Sequence, residues 1–112
     1  YGALITEPCT KEADFGILFM HNEGYSSMCG HGIIAVVSVA IETKAIDMPA
    51  PNQAIGIDAP AGFISAYAQL NSDNKLVVSF DNVPSFVEAL DQVVNVDGFG
   101  EVNYDLSYGG AY

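Results

Sequence analysis

One apolar run, residues 33–41, constrains the fold of this 112-residue chain more than any other feature. Its many β-branched side chains suit a strand, so propensity alone leaves strand or helix open. Its length, its alanines and the nearby Glu42 and Lys44 favour a helix from Cys29 to about Lys44. Such a helix is apolar nearly all round and would have to be buried on most sides, which a surrounding sheet or barrel provides.

Strand and turn patterns account for most of the remaining chain. We predict strands at residues 3–6, 15–20, 63–70, 76–80, 87–96 and 102–108, and another around Ile55 and Ile57. Residues 102–108 alternate most clearly between apolar and polar side chains. The length suffices for one domain but not for two ordinary ones, and we find no repeat or linker. The sequence therefore predicts an α+β fold with many strands and one central buried helix.

The segment directly before the apolar run, Met28-Cys29-Gly30-His31-Gly32, is the strongest candidate for chemistry. If the helix begins here, the thiol of Cys29 lies at its N-terminus. Unpaired N–H groups and the positive end of the helix dipole stabilise a thiolate at that position. The same N–H groups bind carboxylates. One short segment could therefore hold an anionic substrate and present a base or nucleophile to it.

The charge balance excludes several classes of partner. Three Lys and Arg residues stand against fourteen Asp and Glu residues, which gives a net charge of -11. This charge argues against nucleic acid and against an anionic membrane surface. The acidic residues are scattered, as expected for a solvated surface. No apolar run approaches the roughly 20 residues that cross a bilayer.

The other reactive side chains lack a motif. Cys9 has no surrounding signature and is predicted to be structural or exposed. Nothing supports a disulfide between Cys9 and Cys29, and no signal peptide is apparent, so a cytoplasmic location is the default. His21 has no second ligand at metal spacing, which predicts a surface or hydrogen-bonded histidine and no metal site. The chain starts at Tyr1 with a strand pattern and no methionine, and we expect a fragment of a longer protein.

Residues 19–32, Phe-Met-His-Asn-Glu-Gly-Tyr-Ser-Ser-Met-Cys-Gly-His-Gly, resemble the signature of the proline racemase family. That family includes proline racemases, 4-hydroxyproline epimerases and trans-3-hydroxyproline dehydratases. Four further segments resemble family segments in family order: residues 1–3, 58–62, 82–86 and 108–111. Five ordered matches along the whole chain are far more specific than the Cys-Gly-His-Gly motif alone.

The resemblance implies a fold similar to diaminopimelate epimerase. That fold has two similar halves, each a strongly curved, mostly antiparallel sheet or barrel wrapped around one central helix. By this resemblance, residues 33–41 belong to the central helix. Residues 1–112 would form a single partial domain, most of the first half, with the second half absent.

The resemblance also implies chemistry without a cofactor. Cys29 matches one of two acid/base residues that exchange the α-proton of proline or hydroxyproline across a cleft. The N–H groups of Gly30 and His31 would bind the substrate carboxylate. The His31 side chain would border the pocket or hold the helix start by a hydrogen bond. Tyr1 matches an aromatic residue that packs on the pyrrolidine ring, although an ordinary core role is equally compatible. The full-length protein would be a homodimer.

The residue opposite Cys29 lies in a family segment, Asp-x-x-Pro-x-Gly-Thr, that this sequence does not contain. It is a cysteine in racemases and epimerases and typically a threonine in the dehydratase. A racemase or epimerase is therefore the leading interpretation and trans-3-hydroxy-L-proline dehydratase the alternative. A cysteine hydrolase needs a histidine base on the thiol, and a helix start would usually point His31 elsewhere. As an isolated chain, residues 1–112 would be an inactive module.

Overall fold

A computed structural model describes residues 1–111 of the chain. Within that range the backbone forms eight strands and one helix. The strands are β1 (Gly2–Thr6), β2 (Phe15–His21), β3 (Gly24–Ser26), β4 (Ile55–Ala59), β5 (Gly62–Leu70), β6 (Leu76–Asp81), β7 (Phe86–Val96) and β8 (Gly100–Tyr108), and the helix is α1 (Gly30–Glu42). The predicted strands and the predicted helix are all present. Strand β3 was missed, because its three residues lie in a segment with the composition of a turn.

Six strands form one mixed sheet in which most neighbours are antiparallel. Its order is β1-β2-β4-β5-β6, and β3 pairs with the end of β2. The exception is the parallel pair β2–β4, which places Phe15 opposite Ile57. A parallel neighbour needs a crossover connection, and helix α1 provides it between β3 and β4. The α+β class and the mostly antiparallel sheet are therefore confirmed.

The core lies between this sheet and one face of α1. Ile33 and Val37 are the buried residues of the helix, one turn apart, and both are fully inaccessible to solvent. They belong to one cluster with buried apolar residues of β2, β4 and β5, namely Phe15, Ile17, Phe19, Ile55, Ile57, Ile64, Ala66 and Ala68. The sheet therefore curves around one side of the helix and fixes where its N-terminus lies.

The expectation that α1 is buried on most sides is wrong for residues 1–111. Ile34 is 39% exposed and Val39 is 56% exposed. The reason is geometric, because the sheet contacts α1 through strands on one side, chiefly β5 and β6. A groove of about 390 Å³ runs between β1 and the opposite side of α1, lined by Ala3, Ile5, Ala35, Val36, Val39, Ala40, Thr43 and Ala45.

Strands β7 and β8 form a separate two-stranded hairpin. Nearly all of its side chains are exposed, including Leu90, Val93 and Phe99. Two register shifts interrupt the pairing near Ala89, and one bulge residue, Asp91, has a φ of 52°. The described chain has an accessible surface of 7730 Å², compared with about 5,900 Å² for a compact monomer of this mass. The hairpin is thus an extended element and contributes little to the core.

Within residues 1–111, no helix has both the length and the apolar character needed to span a bilayer.

Candidate active site

Cys29 lies immediately before the first residue of α1, at the N-cap position. Its backbone is extended, with φ -149° and ψ 102°, and its carbonyl accepts the first helical hydrogen bond from the N–H of Ile33 at 2.9 Å. The Cys29 side chain makes no capping hydrogen bond. The N–H groups of Gly30 and His31 precede that first bond, so they have no intrahelical acceptor. The helix thus presents backbone donors beside the thiol.

The His31 ring faces the sulfur of Cys29. Cys29 Sγ is 3.4 Å from Nε2 and 3.7 Å from Nδ1 of His31. The expectation that the helix start points this histidine elsewhere is wrong, because residue 31 lies in the first turn and its side chain reaches back over the N-cap. A protonated imidazole at this distance stabilises a thiolate. Cys29 itself is buried, with 9% of its surface exposed.

Two glycines let aromatic rings approach the thiol. A Cβ atom on Gly32 would lie 2.6 Å from Phe19 Cε1 and 3.1 Å from Cys29 Sγ. A Cβ atom on Gly30 would lie 2.9 Å from Phe80 Cζ. Glycine at both positions therefore leaves room for the sulfur and for the rings that pack around it. Phe80 was not singled out from the sequence, since only the fold brings β6 to this end of α1.

Segments distant in sequence converge on the turn before Cys29. The Ser27 hydroxyl donates to the Ala111 carbonyl at 3.0 Å, and the Ala61 N–H donates to the Ser27 carbonyl at 3.1 Å. Gly110 is buried, has a φ of 103° and lies against the Asn82 side chain. Residues from the segments 58–62, 82–86 and 108–111 therefore hold the loop that carries the thiol.

Tyr1 lies on the same side of the molecule. Its ring centroid is 6.2 Å from that of His31 and 6.4 Å from that of Phe19. The structure thus brings together the four residues singled out from the sequence, Cys29, Gly30, His31 and Tyr1. It also places His21 next to Tyr1, with ring centroids 6.4 Å apart. This neighbour was not predicted from the sequence, although antiparallel pairing of β1 with β2 could have indicated it.

Comparison with known proteins identifies the family. The family model described as "Proline racemase" matches residues 1–112, the whole chain. The chain belongs to the proline racemase family. The relatives that it matches are about three times as long, since the chain spans about a third of their length.

Proline racemase family members similar to this chain carry out different reactions. The chain is 50% identical to a trans-3-hydroxy-L-proline dehydratase of Bacillus thuringiensis subsp. konkukian, over all of this chain and 33% of that protein. It is 46% identical to a 3-hydroxyproline 2-epimerase of Burkholderia multivorans, with the same coverage. Sequence similarity alone therefore does not separate the two reactions.

A solved structure of the proline racemase family has the same fold. The hydroxyproline epimerase of Agrobacterium vitis, with trans-4-hydroxy-L-proline bound, aligns with a TM-score of 0.77 and 28% identity. The alignment covers 96% of this chain and 32% of the epimerase. The predicted fold, a diaminopimelate epimerase-like sheet curved around one helix, is therefore confirmed.

The second cysteine of this proline racemase family member lies in a different environment. Cys9 is exposed and both cysteines are free thiols. The Asp58 carboxylate accepts hydrogen bonds from the N–H groups of Cys9 and Thr10, both at 2.7 Å, and from the Thr10 hydroxyl at 3.0 Å. These bonds, first of all the one from the Thr10 backbone, lower the pKa of Asp58 below its ordinary value. The Asp58 side chain thus binds the loop that follows β1 to strand β4.

Two grooves of the described residues lie away from the thiol. One of about 350 Å³ lies beside Cys9 and Asp58 and is lined on its other side by Phe63. Neither this groove nor the one between β1 and α1 is bordered by Cys29 or His31. Within residues 1–111, no group of three His, Cys, Asp or Glu residues is placed to hold a metal ion.

Proposed function

We propose that the full-length protein containing this chain is a cofactor-independent racemase or epimerase of proline or hydroxyproline. Cys29 would serve as one of two acid/base groups. One observation carries the proposal: the thiol stands at the uncapped N-terminus of α1, beside the free N–H groups of Gly30 and His31. A carboxylate and the base that removes the proton from its α-carbon could therefore be held within one helical turn. Membership of the proline racemase family supplies the substrate class.

The backbone donors would bind the substrate carboxylate. When the α-carbon loses its proton, negative charge spreads onto the carboxylate oxygens. Preorganised N–H groups at a helix N-terminus stabilise this developing charge more than that of the ground state. The Tyr1 ring, 71% exposed and close to His31, would pack on the apolar pyrrolidine ring. These contacts orient the α-hydrogen towards the sulfur.

Proton exchange would then use the Cys29 thiolate as the base. The sulfur takes the α-proton, and the electron pair of the broken C–H bond delocalises into the carboxylate. A second acid, supplied by the remaining two-thirds of the family's length, returns a proton to the opposite face. Cys29 finishes as a thiol and the second group as its conjugate base, so the next turnover runs in reverse. His31, 3.4 Å from the sulfur, stabilises the thiolate form.

Dehydration of trans-3-hydroxy-L-proline is the second candidate, favoured by the 50% identity to a dehydratase. The first step is the same, with Cys29 taking the α-proton. The bond between C3 and its hydroxyl then breaks, a double bond forms between the α-carbon and C3, and the hydroxyl leaves as water with one added proton. By resemblance to the family, the residue opposite Cys29 decides between the two reactions. A cysteine there would indicate a racemase or epimerase, and a threonine would indicate the dehydratase.

The test is steady-state kinetics of the full-length protein with L-proline, trans-4-hydroxy-L-proline and trans-3-hydroxy-L-proline. Racemisation or epimerisation is followed by polarimetry, and dehydration by the appearance of the unsaturated product. Cys29→Ala should lower kcat by about 100- to 10,000-fold, the usual contribution of a general acid or base. Cys9→Ser is the matched control, because Cys9 is exposed and lies away from the site, and it should keep wild-type activity. Unchanged activity of Cys29→Ala would overturn the proposed role.

The remaining properties of the whole protein stay predictions. The homodimer and the second acid/base residue are proposed from the family resemblance, and the location in the cytoplasm is proposed because nothing supports a disulfide between the two cysteines. The assignment of residues 1–112 to a single partial domain is also proposed from the family resemblance.

A further inference from the structure

Tyr1 has aromatic neighbours on more than one side. Its ring is nearly parallel to that of His21, with 14° between the planes and 6.4 Å between the centroids. The His31 ring lies 6.2 Å away, tilted by 38°. Both distances fall within the range of about 4.5–7 Å at which ring pairs attract each other. Tyr1 therefore connects His31, which contacts the sulfur of Cys29, with a second histidine farther from it.

The sheet register explains why His21 meets Tyr1. Strands β1 and β2 are antiparallel and pair Gly2 with Met20. One step beyond that pair, residue 1 stands opposite residue 21. Directly opposed side chains of antiparallel strands are close enough to interact, and aromatic pairs are among the more stabilising ones. The stack is thus a cross-strand pair at the end of the ladder.

The His21 ring is itself held by the backbone. Its Nδ1 accepts a hydrogen bond from the Glu23 N–H at 3.3 Å, across the turn that joins β2 to β3. Since Nδ1 is the acceptor, the neutral ring carries its proton on Nε2. Strand β3 continues the turn and pairs Gly24 with His21. His21 therefore offers Tyr1 a stacking surface whose orientation is fixed before any ligand arrives.

We propose that His21 is a positioning residue that orders the Tyr1 ring for substrate binding. The proposal rests on the proposed function, in which Tyr1 packs on the pyrrolidine ring. Tyr1 is 71% exposed, and His21 is one of the rings, with Phe19 and His31, that limit the rotamers of its side chain. When a side chain is ordered in advance, the loss of its rotamer entropy no longer opposes the binding step. His21 should therefore affect the KM for the substrate and leave kcat nearly unchanged.

Two variants separate stacking from the backbone hydrogen bond. His21→Phe keeps an aromatic ring beside Tyr1 and loses the acceptor for Glu23. His21→Asn keeps an acceptor near the position of Nδ1 and loses the ring. In the full-length protein we expect His21→Asn to raise KM three- to tenfold with kcat within twofold of wild type, the size of one aromatic pair. His21→Phe should have a KM within twofold of wild type. A raised KM in His21→Phe but not in His21→Asn would overturn the proposal, as would no change in either.

A second readout does not depend on turnover. The ring protons of Tyr1, assigned by NMR with labelled tyrosine and a Tyr1→Phe variant, should shift in His21→Asn and stay near their wild-type positions in His21→Phe. Unchanged Tyr1 signals in His21→Asn refute the stack whatever the activity is. If the wild-type protein turns over none of the three substrates, the proposed function fails, and titration of the Tyr1 signals with L-proline still decides about His21. If wild type and His21→Asn bind L-proline with the same Kd in that titration, the proposal is wrong.

Discussion

Gly32 lies in the first turn of α1, where a methyl group has no room. An added Cβ atom would be 2.6 Å from Phe19 Cε1 and 3.1 Å from Cys29 Sγ. Phe19 is fully buried, so its ring cannot withdraw into solvent. Gly32→Ala should therefore displace the Phe19 ring, the Cys29 sulfur, or both.

The contact with Phe19 would be about 0.8 Å shorter than the 3.4 Å at which ordinary contacts begin. Overpacking a core of this kind costs about 1–3 kcal/mol. Alanine is a better helix former than glycine and offsets about 1 kcal/mol of that cost. We expect the free energy of unfolding to fall by up to about 2 kcal/mol. Because a shift of about 1 Å at a reacting group can lower a rate about 100-fold, kcat should fall by about 10- to 100-fold.

The assay is urea unfolding followed by circular dichroism, together with kcat of the full-length protein for the hydroxyproline that it converts best. Gly30→Ala is the matched control. Its Cβ atom would meet the Phe80 ring, with Cζ the nearest atom at 2.9 Å, and Phe80 is partly exposed, so its ring can rotate away. The free energy of unfolding of Gly30→Ala should fall by less than about 1 kcal/mol, because the higher helix propensity of alanine nearly offsets the strain of the new contact. Equal stability and equal kcat of the two variants would refute the packing argument.

Two further predictions concern the loop after β1 and the chain by itself. Hydrogen bonds from Thr10 and Cys9 lower the pKa of Asp58 below 3.8, so its stabilising contribution is complete above that pH and is lost as the pH falls through the lowered native pKa. The difference in unfolding free energy between wild type and Asp58→Asn should accordingly be constant near pH 7 and narrow below pH 3.8; a difference that grows on acidification would contradict this assignment. Isolated residues 1–112 should not racemise L-proline, as measured by polarimetry, because inversion in the proposed mechanism needs a second group on the opposite face; measurable inversion would show that one half suffices.

Local pattern was enough to predict most of the secondary structure. Strand β5 and strand β6 follow from runs of β-forming residues bounded by turns, and β8 follows from strict alternation. The helix was harder to predict, since the β-branched residues of Ile33 to Ile41 suit a strand as well. Its length, its alanines, the nearby Glu42 and Lys44 and the family resemblance favoured α1. Strand β3 could not be predicted, because Gly24–Ser26 gains its strand character from pairing with β2 and not from its own composition.

Part of the candidate site depends on contacts that no local pattern contains. The Cys29 motif is contiguous, so its position at the helix start was predictable. The Phe80 ring beside Gly30 and the Ser27–Ala111 hydrogen bond join residues far apart in sequence. The exposed side of α1 was mispredicted for a related reason. Apolar side chains in a sequence indicate that their burial is favourable, but they do not indicate which segment covers them.

The β7–β8 hairpin also governs how the chain behaves in solution. Residues 86–108 contain five carboxylates and no Lys or Arg, interspersed with apolar side chains that are nearly all exposed. At neutral pH the like charges keep two such hairpins from aligning edge to edge. As the pH falls towards the isoelectric point of about 4.1, that repulsion fades while the apolar side chains stay in place. Acidification should therefore favour association of the chains through the β7–β8 hairpin.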